Sequence, residues 1–158
     1  LGLLMLETGL RVTEAVQLRV EDLWFAGGPV TELTVRGEIA KNKKERRVPV
    51  SSRLAEALSG MMRKIWSPDG VSPAHFAFYG PEPASHVTKR QVERFVAAAG
   101  RLAGIKRCYP HILRHTFATR VLGKSNLRVT QELLGHSSIQ STQIYTHPNS
   151  DDLRKAVE

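Results

Sequence analysis

Apolar residues recur along this chain at several spacings, and each spacing predicts a different element. Leu1 to Leu6 is almost wholly apolar and reads as the end of a helix over residues 1–7, with Gly9 suited to its C-terminal turn. Thr13 fits the cap of a short helix running to Leu18. Gly27-Gly28-Pro29 breaks the chain. Thr31 to Arg36 then alternates, with Leu33 and Val35 on one face, as a half-buried strand does. Arg47-Val48-Pro49-Val50 reads as its antiparallel partner, with a β-turn at Asn42-Lys43 between them. From Ser52, a potential cap, the spacing turns helical through Trp66, placing Leu54, Ala57, Leu58, Met61, Met62 and Ile65 inward.

Residues 67–83 are rich in Pro and Gly and read as a long loop, with Phe76-Ala77-Phe78 as a short strand inside it. Thr88 opens an amphipathic helix with Val92, Phe95, Val96, Ala99, Leu102 and Ala103 on one face. Pro110 starts another, through Val121. Leu127 to Leu134 is a third, closed by Gly135. Ser138 is placed to cap a helix through Tyr145, and Asp151 to Val157 forms a short tail helix. The expected fold class is therefore α+β, mainly α with a small antiparallel β-sheet or hairpin.

Composition narrows the function. The 158 residues suit one domain with one core, and 41% hydrophobic with 24% charged residues fits a folded globular protein. No apolar run approaches the roughly 18 residues that span a bilayer, and the short apolar opening lacks the basic leader of a signal peptide. Because the chain starts without Met and in mid-pattern, a longer parent protein is expected. The net charge of +8 points to a polyanionic partner, nucleic acid ahead of a membrane surface. Cys108 is the sole cysteine, so no disulfide or cysteine-based zinc site forms within the chain, and a reducing cytoplasm is the expected setting.

Several polar residues interrupt these patterns with chemistry in common. His111 and Arg114 lie three apart on one helix and so point the same way. The first turn of that helix favours both a neutral imidazole, able to accept a proton, and a phosphate oxygen on its amides. Arg11 follows the Gly9 turn, and Glu14 stands three residues on, placed to hold its guanidinium. Such forks match two phosphate oxygens at once. Lys41 lies where the first strand meets the turn, and an ammonium, unlike a guanidinium, can protonate a leaving oxygen. His136 and Tyr145 stand nine residues apart in the run Leu133 to His147. Taken singly, each of these residues has a plainer reading: a surface ion pair, a solvated hairpin, a packed tyrosine, a loop histidine. Together they supply a phenol nucleophile, two guanidiniums, two imidazoles and an ammonium, the groups needed to attack a phosphodiester.

Thr8-Gly9-Leu10-Arg11-Val12-Thr13-Glu14, Lys41 to Val50, Pro110 to Thr119 (Pro-His-Ile-Leu-Arg-His-Thr-Phe-Ala-Thr) and Leu133 to His147 closely resemble the catalytic domain of tyrosine recombinases, the phage integrase family. The resemblance spans nearly the whole chain, 1–158, and implies that domain's fold. It implies that Arg11 and Arg114 bind the phosphate, Lys41 is the general acid, His111 assists proton transfer, His136 bonds a non-bridging oxygen and Tyr145 is the nucleophile, with Glu14 and His115 in support. Strand cleavage would pass through a 3′-phosphotyrosyl link with neither metal nor cofactor. Lys43, Lys44, Arg46, Lys89, Arg90 and Arg94 are candidate contacts to the DNA backbone.

Two departures accompany it. The family's N-terminal DNA-clamping domain and most of the first catalytic helix are absent from this sequence, so weak DNA binding is expected of it alone. Asn42 replaces the family's glycine after the lysine, and Lys43 its usual asparagine; Asn still tolerates turn geometry. The expected partners are double-stranded DNA and, for the full-length protein, three further copies in a homotetramer on DNA, with the tail at 150–158 exchanged between protomers. The isolated chain is expected to be a monomer, or to carry that tail folded back over Tyr145. A type IB topoisomerase and a non-catalytic DNA-binding regulator are the alternative functions.

Overall fold

The apolar opening segment forms α1 (Gly2–Thr8) in the computed structural model, which describes residues 1–136. Gly9 ends the helix at φ 64°, and its N–H returns to the Met5 carbonyl at 2.9 Å. Only glycine serves there, because a Cβ would lie 2.3 Å from Cδ1 of Phe117. This close approach lets α1 pack along α5 (Pro110–Leu122).

The next helix differs from expectation at both ends. α2 is one turn, Val12–Ala15, and its capping residue is Arg11, not Thr13. The Glu14 carboxylate reaches back to the Arg11 N–H at 2.9 Å and satisfies that amide directly. The helix stops short of Leu18, whose N–H reaches the Ala15 carbonyl at 3.4 Å and whose carbonyl accepts from the Ala77 N–H at 2.8 Å. After a 3₁₀ turn (Val20–Asp22), β1 (Trp24–Phe25) and β2 (Gly28–Pro29) form a small hairpin where only a break was expected. Ala26 and Gly27 both have positive φ at its turn, the geometry such tight hairpins require. Alanine gives no hint of it in the sequence.

The expected β-pair is present as β3 (Glu32–Val35) and β4 (Arg46–Pro49), antiparallel, with Leu33 opposite Val48 and Val35 opposite Arg46. Side chains alternate across a sheet, so this register turns Leu33, Val35, Val48 and Arg46 to the same buried face. The following helix, α3 (Ser52–Met61), is capped by Ser51 and not by Ser52: Oγ of Ser51 accepts from the Leu54 N–H at 3.3 Å. Leu54 and Leu58 are buried as expected. Beyond them the chain widens to a π-helical segment, Met62–Trp66. The wider turn shifts the phase by about one residue, so Trp66 enters the core in place of Ile65, which is exposed. The Trp66 indole N–H finds the Ala77 carbonyl at 3.0 Å. Of residues 76–78 only Phe76 makes a β-bridge, to Arg19, and no full strand forms.

α4 (Lys89–Leu102) is capped by Thr88, whose hydroxyl accepts from the Gln91 N–H at 3.2 Å. Its contact line is narrower than the apolar pattern suggests. Val92, Val96 and Gly100 are buried, whereas Phe95, Ala99, Leu102 and Ala103 face outward. Gly100 sets the limit by seating the helix against Cys108, where a Cβ would be 2.2 Å from the Cys108 Cβ. α5 begins at Pro110 as expected and buries Pro110, Arg114, Phe117 and Ala118, a helical stripe that contains a charged residue. α6 (Leu127–Leu134) closes at Gly135, φ 61°. Phe117, Ala118 and Leu134 make a small second cluster where α5 meets α6. The expected helix from Ser138, the tail helix at 150–158 and Tyr145 itself lie outside the described residues.

Replacing Gly9 by alanine combines a left-handed φ with a steric clash, and should lower unfolding free energy by about 2–4 kcal/mol. Urea denaturation measures this, with Gly2→Ala, which meets nothing within 4 Å, as the control.

Candidate active site

Two helices end at the same place, and the side chains expected to carry chemistry gather there. Each helix C-terminus exposes backbone carbonyls that lack intrahelical partners and carry the negative end of the dipole. Arg114 sits between two such ends. Its guanidinium donates through Nη1 to the carbonyl of Gly9, at the end of α1, and through Nη2 to that of Leu134, the last residue of α6, at 2.7 Å. The same Nη2 lies 3.0 Å from Nε2 of His136. Only 3% of Arg114 is exposed. Its position is therefore set by backbone, the least adjustable part of the fold.

Arg46 occupies the adjacent carbonyl. Its Nε donates to Leu133 at 3.1 Å, while Nη1 and Nη2 grip the two oxygens of Glu14 at 3.2 and 2.6 Å. This overturns its assignment to the DNA backbone: Arg46 lies on the buried face of β4, in phase with Val48, and its guanidinium is committed inside the protein. Glu14, itself fully buried, also accepts from Nη1 of Arg11 at 3.0 Å. Burial pushes the Glu14 carboxyl up, but the hydrogen bond and charge of Arg46, and then those of Arg11, outweigh it and hold the group below its ordinary range. The expected support of Arg11 by Glu14 is thus observed, with Arg46 as its unforeseen second cation. Gly135 completes this corner, since a Cβ there would meet Cδ of Arg46 at 2.9 Å.

A cleft of about 910 Å³ opens above this corner, and Arg11, Lys41, His111, Arg114 and His136 all line it. They come from the α1–α2 junction, the hairpin tip, α5 and the residue after Gly135. Lys89, paired with Glu93 at 3.6 Å, forms part of the wall, as do Thr13, Cys108 and Tyr109. Lys41 and His111 are exposed to the opening. His115 is also exposed, and its Nδ1 lies 3.4 Å from Oγ1 of Thr119. Lys43, Lys44, Arg90 and Arg94 are exposed; Lys44 borders a second hollow beside β4 and α6. Sequence reasoning left out Tyr109, Thr13 and Glu93 as cleft residues. It read Asn42 as a turn residue and a departure from the family pattern, yet Asn42 donates to the carbonyl of Gly135 at 3.2 Å. No group of three or more metal-ligating side chains occurs among the described residues, and no described helix is long and apolar enough to cross a membrane.

His136 is held neutral. Burial is the largest cause, followed by the charges of Arg114, Arg11 and Arg46, and together they lower it from 6.5 to about 4. Arginine can only donate, so the contact with Arg114 assigns the Nε2 lone pair as acceptor and the proton to Nδ1. The arrangement can therefore receive a polyanion: guanidiniums fixed by carbonyls and a carboxylate, an ammonium at the mouth, and imidazoles on two sides.

Known proteins share this architecture. The phage integrase family model matches residues 1–152. A tyrosine recombinase, XerA, of Pyrococcus furiosus is 39% identical over 157 residues, covering 99% of this chain and 52% of that protein. A crystal structure of XerA recombinase superposes with a TM-score of 0.77 at 32% identity, over 97% of this chain and 54% of that one. The XerH site-specific recombinase bound to its difH substrate, in a pre-cleavage complex, gives 0.75 at 27% identity, over 98% and 44%. The chain belongs to the phage integrase family, with the fold of its tyrosine-recombinase catalytic domain. It spans about half the length of these relatives.

Removing one partner of a buried pair strands the other's charge, so Arg46→Met should cost about 3–5 kcal/mol in urea unfolding. Arg47→Met, at an exposed pair with Glu32, should cost less than about 1 kcal/mol. His136 gives a pH signature. Its folded value lies below the unfolded one, so unfolding takes up a proton between 6.5 and about 4. Its contribution to stability is complete above pH 6.5 and is lost as pH falls through that window. His136→Gln should flatten this part of the stability–pH curve.

Proposed function

We propose that this chain is the catalytic domain of a site-specific recombinase that breaks and rejoins DNA through Tyr145. The convergence of Arg11, Lys41, His111, Arg114 and His136 on one cleft carries the reading. Residues scattered over more than a hundred positions have no packing reason to share a cavity, and all suit one reaction. The DNA-bound XerH relative supports DNA as the substrate.

In the mechanism, the Tyr145 oxygen attacks a backbone phosphorus and the His111 imidazole accepts the phenolic proton. Arg11 and Arg114 bind the non-bridging oxygens as charge builds in the five-coordinate transition state. His136 donates to the same phosphate through the single N–H of its neutral ring. The bond from phosphorus to the 5′ oxygen breaks, and the Lys41 ammonium protonates that oxygen. A 3′-phosphotyrosyl link and a free 5′ hydroxyl remain. Attack by a 5′ hydroxyl from a second strand reverses each transfer, so the bond energy is conserved. Glu14 and His115 support the two arginines and the α5 face. Lys43, Lys44, Lys89, Arg90 and Arg94 contact the DNA backbone and position it without reading bases. The full-length protein acts as a homotetramer on DNA in the cytoplasm, with the tail at 150–158 exchanged between protomers.

The full-length protein, incubated with a nicked suicide substrate carrying its site, should form a covalent protein–DNA adduct. Tyr145→Phe should abolish it while DNA binding persists. Binding with no adduct in the wild type would instead identify a regulator, and supercoil relaxation without junction formation a topoisomerase.

A further inference from the structure

The tip of the β3–β4 hairpin is latched to the site by one side chain, and both ends of that side chain are engaged. Oδ1 of Asn42 accepts from the Lys44 N–H at 3.2 Å, closing the turn on itself. Nδ2 donates to the carbonyl of Gly135, 93 residues away, also at 3.2 Å. That carbonyl belongs to the residue before His136, two positions beyond the carbonyl that Arg46 holds. The hairpin is thus fastened twice to the end of α6, once along β4 and once at its tip. Lys41 lies between Ala40, 2% exposed, and the latched Asn42. Its main chain is fixed from both sides, while its side chain lines the cleft with Arg11 and Arg114. The turn also holds Lys43 at φ 59°, a left-handed conformation that a lysine does not adopt for its own sake. The hydrogen bond from the Lys44 N–H to Asn42, which spans Lys43, offsets part of that cost.

We propose that Asn42 is a positioning residue, which holds the hairpin tip so that the Lys41 ammonium stands at the mouth of the cleft. The proposal rests on the recombinase reading above, in which Lys41 protonates the leaving oxygen. An ammonium on a four-carbon stem loses effectiveness quickly when its base moves, because proton transfer needs hydrogen-bond distance. Asn42 acts through Lys41 and does not touch the phosphate.

The test compares two DNA substrates in single-turnover cleavage by the full-length protein. One has the natural 5′ oxygen at the scissile phosphate and the other a bridging 5′ sulfur. With sulfur, attack by Tyr145 forms the same phosphotyrosyl bond and the P–S bond breaks to release a thiolate. A thiol ionises near pH 8.5, so this leaving group needs no proton from the enzyme. Asn42→Ala removes both hydrogen bonds; Asn42→Asp keeps the acceptor for the Lys44 N–H and loses the donor to Gly135. Both variants should cleave the oxygen substrate about three- to tenfold more slowly, the worth of one hydrogen bond, and the sulfur substrate at the wild-type rate. Wild-type cleavage of the sulfur substrate also shows that each variant is folded. Lys41→Ala should show the same pattern more strongly, and adding Asn42→Ala to it should slow cleavage no further. Equal slowing on both substrates would overturn the proposal, since Asn42 would then act through His136 or the fold. So would an unchanged rate on the oxygen substrate. Failure of the underlying reading looks different, because the wild-type protein would then form no Tyr145-dependent adduct on either substrate.

Discussion

The last turn of α6 offers two neighbouring carbonyls, and a guanidinium is bound to each: Arg46 on Leu133 and Arg114 on Leu134. Burying one charged group in a small domain is costly, and burying two side by side is tolerable only where each finds compensating partners. Arg46 is compensated by the Glu14 carboxylate, gripped at both oxygens. Arg114 bonds carbonyls at the negative ends of two helices and the neutral imidazole of His136. The difference matters. A carboxylate cancels charge, whereas carbonyls and a neutral imidazole orient the guanidinium and leave its charge to act on the cleft.

From this pair the rest of the layout follows. Glu14 must reach Arg46, which fixes α2 against β4, and it also reaches Arg11 and so sets the second cleft guanidinium. Gly9 must present its carbonyl to Arg114, which brings the end of α1 against Phe117 and excludes any side chain at position 9. Gly135 must stay bare to admit Arg46, and its own carbonyl then serves Asn42. An anion entering the cleft would meet cationic groups already in place, with little reorganisation needed. Burial first, and then the same concentration of cations, keeps His136 neutral.

The sequence shows much of this and conceals the remainder for definite reasons. Long helices with clear signals stand out: Thr88 before α4, Pro110 at the start of α5 and Gly135 after α6 all mark the ends found in the structure. The cleft residues were legible because their chemistry is unusual as a set, even though no local pattern joins them. Arg46 was misread because a run of basic residues looks solvated, although its phase with Val48 across β4 carries the opposite message. Ile65 was misplaced because a π-helical turn changes the period, and no residue type announces one. Asn42 looked like a turn residue, and its bond to Gly135 spans a separation that turn chemistry cannot reveal.

The described cleft rests on a fixed core. Arg11, Arg46, Glu14 and Arg114 bind one another or backbone, and the chain leaves them at His136, itself bonded to Arg114. Charge burial governs this core, so its members are held together with the packing around them. A substitution that loosens Arg46 or Gly9 should therefore reach the chemistry only by disturbing the fold. One at the Asn42 latch leaves those partners in place, so its effect falls on the hairpin tip and not on the core.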